Sequence, residues 1–575
     1  MKKALALILA LLMVFSLVAC GGSTKDDPAK DQPKDEGKKE EVSGGTAAQP
    51  GADASVLEDG VSSGKLAGGL TTNDEYDINM DELSKDISII IANETDISAC
   101  APFVAGAGRN QVRYLLYDNL ALMKKPGGGV EDMDWVMAKD IVKIDNDTYE
   151  IEIYDYIHDS EGNHITASDV VFSYYELQAS GASGKFSSHL ESIEAIGEYK
   201  VRLVLKNNAL GMAQYMLQFC HVVDEEAYKA QTEAQRAQSP IGTGAYKIKE
   251  FVAGGYVTLT RVEDYWQTDS SKWHYGNSGQ IKEMKLIIMT EASQRSIGLE
   301  NGSVDVVPNV AKDDVVNFMN VDGTAKDGYN VLKVLNSTTD FMLFNSSDKS
   351  ICGDKNMRLA ITYAIDRAGV MDGTYGKGGW LPSNETCTSV IDDYNEDWTW
   401  HEYDLTKSAE YLKAAGYKGE EIRIICESTP QNKTKAELIQ AYLIAAGMKA
   451  TINAYDSALM TEYKKDPTMW DLQLNAGGSS DYCLDTWNLI FPINGATGLN
   501  SCMLPDQTAV DLMNAAGGLD THSKDTVNAM HDYLYENVFT MPFGTYYKYS
   551  AAHDNMLVWP LHPWNYLIFG GLIFK

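Results

Sequence analysis

No two cysteines in this sequence are spaced as CxxC, although there are eight, at positions 20, 100, 220, 352, 387, 426, 483 and 502. A zinc ribbon, which needs such thiolate pairs, finds no local support. The ten histidines include no HxxxH pair, so direct metal capture is not expected and no metal or cofactor is assigned. Basic residues are scarce: 48 Lys and Arg stand against 81 Asp and Glu, for a formal net charge of −33. Phosphate backbones and anionic headgroups repel a chain of that sign, which argues against nucleic acid and against attachment to a membrane by charge. Nor does the apolar run at 4–19 reach the roughly 20 residues that cross a bilayer.

That run has another reading. It follows Met1-Lys2-Lys3 and ends Leu17-Val18-Ala19-Cys20-Gly21. A positive start, a short apolar stretch and small residues at the cut form the pattern of an export signal. The ending resembles a bacterial lipobox, in which the cysteine is diacylated and becomes the new N-terminus. Residues 1–20 are then a lipoprotein signal peptide, and Cys20 is the lipid anchor on the outer face of the cell membrane. Residues 21–85 are mostly Gly, Ser, Ala, Pro, Asp, Glu and Lys with almost no aromatic side chains, and such a segment cannot bury a core. As a flexible coil of about 65 residues it would reach about 45 Å, enough to hold a folded body clear of a bilayer. Within it, Gly60-Val61-Ser62-Ser63-Gly64 spells GxSxG without the strand-to-helix turn that a nucleophile elbow needs. With Cys20 acylated, an odd number of cysteines remains, so at least one thiol is free unless chains cross-link, and the pairing stays open.

The chain beyond the linker is long enough for two or three globular units. Its 32 Tyr and 10 Trp suit either a large core or a cleft with amphipathic walls. In the first half, 87–92 reads as a buried strand. The spacing of Val112, Leu115, Leu116 and Leu120 predicts a helix over 108–122. Asp145-Asn146-Asp147 reads as a turn leading to a strand with Tyr149, Ile151 and Ile153 on one face, and hairpins are expected near Glu198 and Gly254-Gly255. Thr166-Ala167-Ser168-Asp169 is a capping box that opens a helix. The second half alternates helices at 356–371, 405–415 and 433–446, and a short one from Ser457, with strands at 422–426, 450–454 and 471–475. Such alternation predicts a parallel sheet. Ligands of such sheets bind beyond the carboxyl ends of the strands, which brings forward Ala476-Gly477-Gly478-Ser479-Ser480-Asp481-Tyr482.

Several blocks then fall into an order. They are Val112-Arg113-Tyr114-Leu115-Leu116-Tyr117-Asp118-Asn119-Leu120, His164-Ile165-Thr166-Ala167-Ser168-Asp169-Val170-Val171-Phe172-Ser173, Pro240-Ile241-Gly242-Thr243-Gly244-Ala245-Tyr246, Asp264-Tyr265-Trp266, Asn301-Gly302-Ser303-Val304-Asp305, the run Met357-Arg358-Leu359-Ala360 continuing to Arg367, and Ala414-Ala415-Gly416-Tyr417. Together they resemble the pattern of bacterial extracellular solute-binding proteins of family 5, the peptide and nickel class, over about 87–550. Gly242 and Gly244 are expected to supply backbone angles that other residues resist. The resemblance implies an α/β, two-lobed periplasmic-binding-protein-like fold of class II with a hinge between the lobes. The first lobe would span 86–340, enlarged by a subdomain at about 120–238; the second would span 341–500; and 501–575 would return to the first. The apolar, aromatic stretch 559–575 is left unplaced, and Ala92 to Cys100 departs from the Leu-Asp-Pro pattern common after the first strand.

The resemblance also implies that an aspartate in the segment 477–482 holds a ligand amino group, and Asp481 is the matching residue. Trp380, after Gly378-Gly379, stands where the family often places a cleft aromatic. Asn345 sits at the expected crossover, Tyr482, Trp398 and Trp400 are candidate walls, and Arg109 is a candidate partner for a ligand carboxylate. The implied function is that of a monomeric substrate-binding lipoprotein of an ABC importer, which captures peptides outside the cell and delivers them to the permease subunits. Oligosaccharide or chelated nickel is the alternative cargo. A surface sensor or a hydrolase is the alternative class, but no acid and base pair or activated nucleophile supports an enzyme.

Overall fold

The computed structural model describes residues 65–67, 82–97, 99–104, 111–206, 208–274, 276–391, 393–477, 481–491, 502–503 and 506–575. The signal segment with Cys20, most of the linker, and Arg109 lie outside them.

Two separate apolar cores define two lobes. The first gathers Ile89, Ile91, Leu115, Leu259, Met284 and Trp559, and the second gathers Met342, Phe344, Ile361, Ile424, Ile439, Leu472 and Trp487. A twelve-stranded sheet runs through both. In the first lobe Ile87–Asn93 pairs in parallel with Ile281–Ile288, and the hairpin of Tyr246–Val252 and Tyr256–Arg261 extends that edge. In the second lobe Asp340–Phe344 runs antiparallel to Leu472–Ala476, which is followed in parallel by Glu421–Glu427 and Lys449–Tyr455. This half of the sheet is therefore mixed rather than wholly parallel, because its innermost strand arrives by crossing from the other lobe. Among the described strands, the two halves of the sheet are paired through one long strand, Thr540–His553: its start pairs with Asp340–Phe344 and its end with Tyr329–Leu335.

The first-lobe subdomain is a four-stranded antiparallel sheet of Ala138–Lys143, Thr148–Ile153, Lys200–Leu205 and Leu190–Gly197. Its first turn closes because Asp145 Oδ1 accepts the N–H groups of Asp147 and Thr148 at 2.9 and 2.8 Å. The helix Ala167–Ser180 opens as expected: Asp169 Oδ2 accepts the Thr166 N–H at 2.8 Å, while its Oδ1 accepts the Glu225 N–H at 2.9 Å. Asp169→Ala leaves both donors without that partner, so we expect urea unfolding to show a loss of about 1–2 kcal/mol.

Three helical expectations need correction. Among the described residues of 108–122, which begin at Gln111, only Arg113–Leu116 is helical, and Tyr117 turns extended at φ −138° and ψ 140°. The apolar spacing was real, since Val112, Leu115, Leu116 and Leu120 are all buried, but a segment surrounded by core on every side needs no amphipathic face. The next residues instead serve tertiary contacts: Asp118 Oδ2 accepts from the Tyr265 hydroxyl at 2.9 Å and the Trp266 indole at 2.7 Å, so two of the family-like blocks lock together. The expected helix 356–371 is two helices, Lys355–Ala364 and Arg367–Tyr375, broken where Ile365 and Asp366 turn extended. The helix expected at 433 starts at Pro430, because Thr429 Oγ accepts the Asn432 N–H and proline fits a first turn.

Gly242 and Gly244 do not adopt left-handed angles. Their requirement is space: a Cβ would stand 2.0 Å from the Leu116 carbonyl oxygen at Gly242 and 2.5 Å from that of Leu115 at Gly244. The boundary at 501 also moves. Helices Gln507–Gly517 and Lys524–Asn537 place Met513, Val527, Met530 and Leu534 in the second core, so the chain returns to the first lobe only along Thr540–His553.

Candidate functional site

Beside the crossing strand, and besides the Leu210 N–H that donates to the Gly517 carbonyl at 3.1 Å, the second lobe meets the first at a short segment, Asp481 to Asp485, at the start of the helix Cys483–Ile490. The preceding strand Leu472–Ala476 aims this segment out of the sheet at its carboxyl end. Asp393 holds the helix start: both of its carboxylate oxygens accept the Cys483 N–H, at 3.0 and 3.2 Å. Burial pushes the Asp393 carboxyl up to about 6, outweighing the opposing pull of that N–H. The Cys387 and Cys483 thiols are both buried, and burial pushes each above its ordinary value. The seven cysteines of the described residues are all buried as free thiols.

Across the seam stand side chains of the first lobe. Asp481, 8% exposed, accepts at Oδ1 from the Trp564 indole N–H at 2.9 Å. The Tyr482 hydroxyl donates to the Gly127 carbonyl at 3.0 Å. Asp485 Oδ1 meets Lys185 Nζ at 2.5 Å. Burial would depress the Lys185 ammonium, but Asp485, Tyr215 and Asp481 outweigh it and hold the group above its ordinary range. From Lys185 the aromatic rings continue as a wall. Lys185 lies over Tyr215 at 4.6 Å, Tyr215 packs on Phe219 at 4.5 Å, and Phe219 stacks on Trp564 at 5.5 Å. A carboxylate at one end and aromatic faces beside it can take an organic cation carrying apolar groups: the charge pairs with Asp481, and the apolar parts lie on rings that also attract cations.

The other sequence candidates fall elsewhere. Trp380 lies on the strand Trp380–Pro382 beside the crossing strand, its indole donating to Asp372 Oδ1 at 2.8 Å. Asn345 is fully buried and committed: its Nδ2 donates to the carbonyls of Pro467 and Trp470, and its Oδ1 accepts from the Ser347 N–H and hydroxyl. It holds a second-lobe loop and does not face the seam. Trp398 and Trp400 are 6% and 4% exposed and pack under the helix Lys524–Asn537, where Trp398 stacks on His531 at 4.5 Å and donates to Asn528. They are core rather than wall. Gly477, expected to let backbone approach a ligand, instead lies close against the Thr386 carbonyl, which a Cβ would meet at 2.5 Å. The seam residues that the sequence did not single out are Lys185, Tyr215, Phe219 and Trp564. Only Trp564 carried a signal, as part of the unplaced aromatic stretch. A cavity of about 240 Å³ beside Ile351, Met357 and Tyr417 is lined by none of the seam residues. Among the described residues no group of three His, Cys, Asp or Glu is placed to hold a metal ion.

A family model for the middle region of bacterial extracellular solute-binding proteins, family 5, matches residues 135–501. The chain belongs to this family. As a family 5 protein it is an extracytoplasmic binding protein and not an enzyme. It is 22% identical over 470 residues to the oligopeptide-binding protein AppA of Bacillus subtilis, covering 74% of this chain and 81% of that protein. With the nickel-binding protein NikA of Staphylococcus aureus it shares 23% identity over 342 residues, 58% of this chain and 63% of that one. Its fold matches the crystal structure of a dipeptide-binding protein from a Pseudoalteromonas species in complex with Met-Leu, with a TM-score of 0.71 at 18% identity, over 85% of this chain and all of that one.

Proposed function

We propose that this family 5 protein captures short peptides between its lobes and delivers them to an ABC permease, while Cys20 tethers it by lipid to the outer face of the membrane. The observation that carries the peptide reading is Asp481. It is a nearly buried carboxylate at the seam, with an aromatic wall facing it from the other lobe, and this suits an α-ammonium and its adjoining side chains. An ammonium taken from water needs such a partner, since an unpaired buried charge is costly. The peptide-binding relatives support the same cargo. The nickel-binding relative favours a metal chelate as the second reading, and aromatic rings also suit oligosaccharide. Uptake and sensing share this site and differ only in the protein on which the closed lobes dock.

A thermal-shift screen against di- to pentapeptides, oligosaccharides and nickel chelates decides the cargo. A ligand present at a hundredfold excess over its Kd adds about 2.7 kcal/mol to the folded state and raises the midpoint accordingly. We expect a shift with peptides bearing a free amino terminus and none with their N-acetylated forms. Shifts confined to sugars or chelates would replace the peptide reading and leave the two-lobed carrier.

A further inference from the structure

We propose that the C-terminal turn between Leu561 and Leu567 is the closing latch of the two lobes, with Trp564 at its tip as the positioning residue that ties closure to the Asp481 carboxylate. This deepens, and rests on, the carrier reading of the seam. The turn is built to hold its tip still. Leu561 and Leu567 bridge, the His562 N–H donates to the Tyr566 carbonyl at 2.8 Å, and the Asn565 N–H donates to the His562 carbonyl at 2.7 Å. His562 is fully buried and stacks on Tyr566 at 4.2 Å, and its Nδ1 accepts the Trp564 N–H at 3.1 Å. Asn565 takes the left-handed backbone at φ 55° and ties the turn to strand Tyr329–Leu335 through the Leu335 carbonyl at 3.0 Å. From this base the indole crosses to the other lobe.

The latch has three points, all on one second-lobe segment. Asp481 is held from the C-terminal turn, Tyr482 from the Gly127 carbonyl, and Asp485 from Lys185. Three separated pieces of the first lobe thus converge on five consecutive residues, and separation of the lobes must break all three contacts together. Of the three, it is Trp564 that donates its side-chain hydrogen bond to the carboxylate proposed to receive a ligand ammonium, with the Lys185 ammonium acting on it by charge. An indole N–H can only donate, so it fixes an accepting oxygen of Asp481 and makes the receiving conformation the closed one. Ligand binding and closure are then coupled through one side chain, because a ligand shifts a conformational equilibrium by its differential affinity for the two states.

Hydrogen exchange of the amides of 481–490, measured on the whole protein without added ligand, tests this. Trp564→Phe keeps a ring against Phe219 and removes the donor. Trp559→Phe removes a comparable bond, to Asn330 Oδ1 at 3.0 Å, wholly inside the first lobe. We expect exchange to speed about tenfold in Trp564→Phe, the loss of one hydrogen bond to a charged acceptor, and to stay at the wild-type rate in Trp559→Phe. Small-angle scattering should show a larger radius of gyration for Trp564→Phe alone. Asp481→Ala removes the acceptor of the same bond and should speed exchange likewise. Adding Trp564→Phe to it should change nothing further. Equal acceleration by both tryptophan variants, no acceleration in Trp564→Phe, or additivity with Asp481→Ala would overturn the latch. If none of the peptides binds and Trp564→Phe still loosens the seam, the latch stands and the peptide assignment falls.

Discussion

Lys435→Met should lower the unfolding free energy by about 3–5 kcal/mol, the cost of leaving one member of a buried ion pair alone. Lys435 Nζ sits 2.7 Å from Asp340 Oδ2, with the two side chains 5% and 4% exposed. The Tyr375 hydroxyl donates to the same oxygen at 2.7 Å. Burial, and then the Asp340 charge, hold that hydroxyl well above its ordinary value, so it remains a donor throughout the physiological range. Without the ammonium, the carboxylate would be left with this neutral partner inside a region of low dielectric. The double variant Lys435→Met, Asp340→Asn should recover most of the loss, since no charge is then buried. Urea denaturation followed by tryptophan fluorescence measures both. A single variant that loses less than about 1 kcal/mol, the scale of an exposed pair, would mean that water reaches the pair. The position matters beyond stability: Asp340 pairs with Gly544 where the crossing strand enters the second lobe, and Tyr375 stacks on Tyr546 at 4.4 Å beside it. The pair therefore braces the second-lobe side of the hinge.

Asp481→Ala should weaken binding of the tightest peptide from the screen by about 2–5 kcal/mol, roughly thirtyfold to several thousandfold in Kd. The loss has two sources, the missing partner for the ligand ammonium and the missing acceptor for Trp564. Trp564→Phe separates them, because it removes only the second and should cost about tenfold or less. Isothermal titration with a peptide and with its N-acetylated form completes the comparison: the wild type should prefer the free amine strongly, and Asp481→Ala should bind the two alike. An Asp481→Ala protein that is folded and binds peptide within about threefold of the wild type would place the amine elsewhere.

What could be read in the sequence was what short-range chemistry decides. The Asp145 turn, the Thr166 and Asp169 box and the hairpins at Glu198 and Gly254 each depend on partners a few residues apart, and the structure has all of them. The strand and helix alternation of the second half was equally legible, because each element carries its own caps. Failure came where burial is complete. Periodicity around Val112 to Leu120 reports only that the residues are apolar, and it cannot tell an amphipathic helix from an extended segment inside a core. Trp398 and Trp400 looked like walls because tryptophan serves both walls and cores, and only the helix Lys524–Asn537 laid over them decides which. Trp564 was invisible as a seam residue for a different reason: its partner Asp481 is 83 positions away and on another lobe. No local pattern encodes such a meeting.

The long strand Thr540–His553 has a consequence for how the molecule comes into being. Among the described residues it is the only strand that bridges the two halves of the large sheet, and it follows every other strand of that sheet in the sequence. Synthesis runs from the N-terminus, so neither half can acquire this neighbour until every other strand of the sheet has been made. Domains commonly fold as units in order of synthesis, but here the earlier lobe must wait for a strand made after all the others of its sheet. The strand that joins the lobes in the mature protein also sets the moment at which it becomes one.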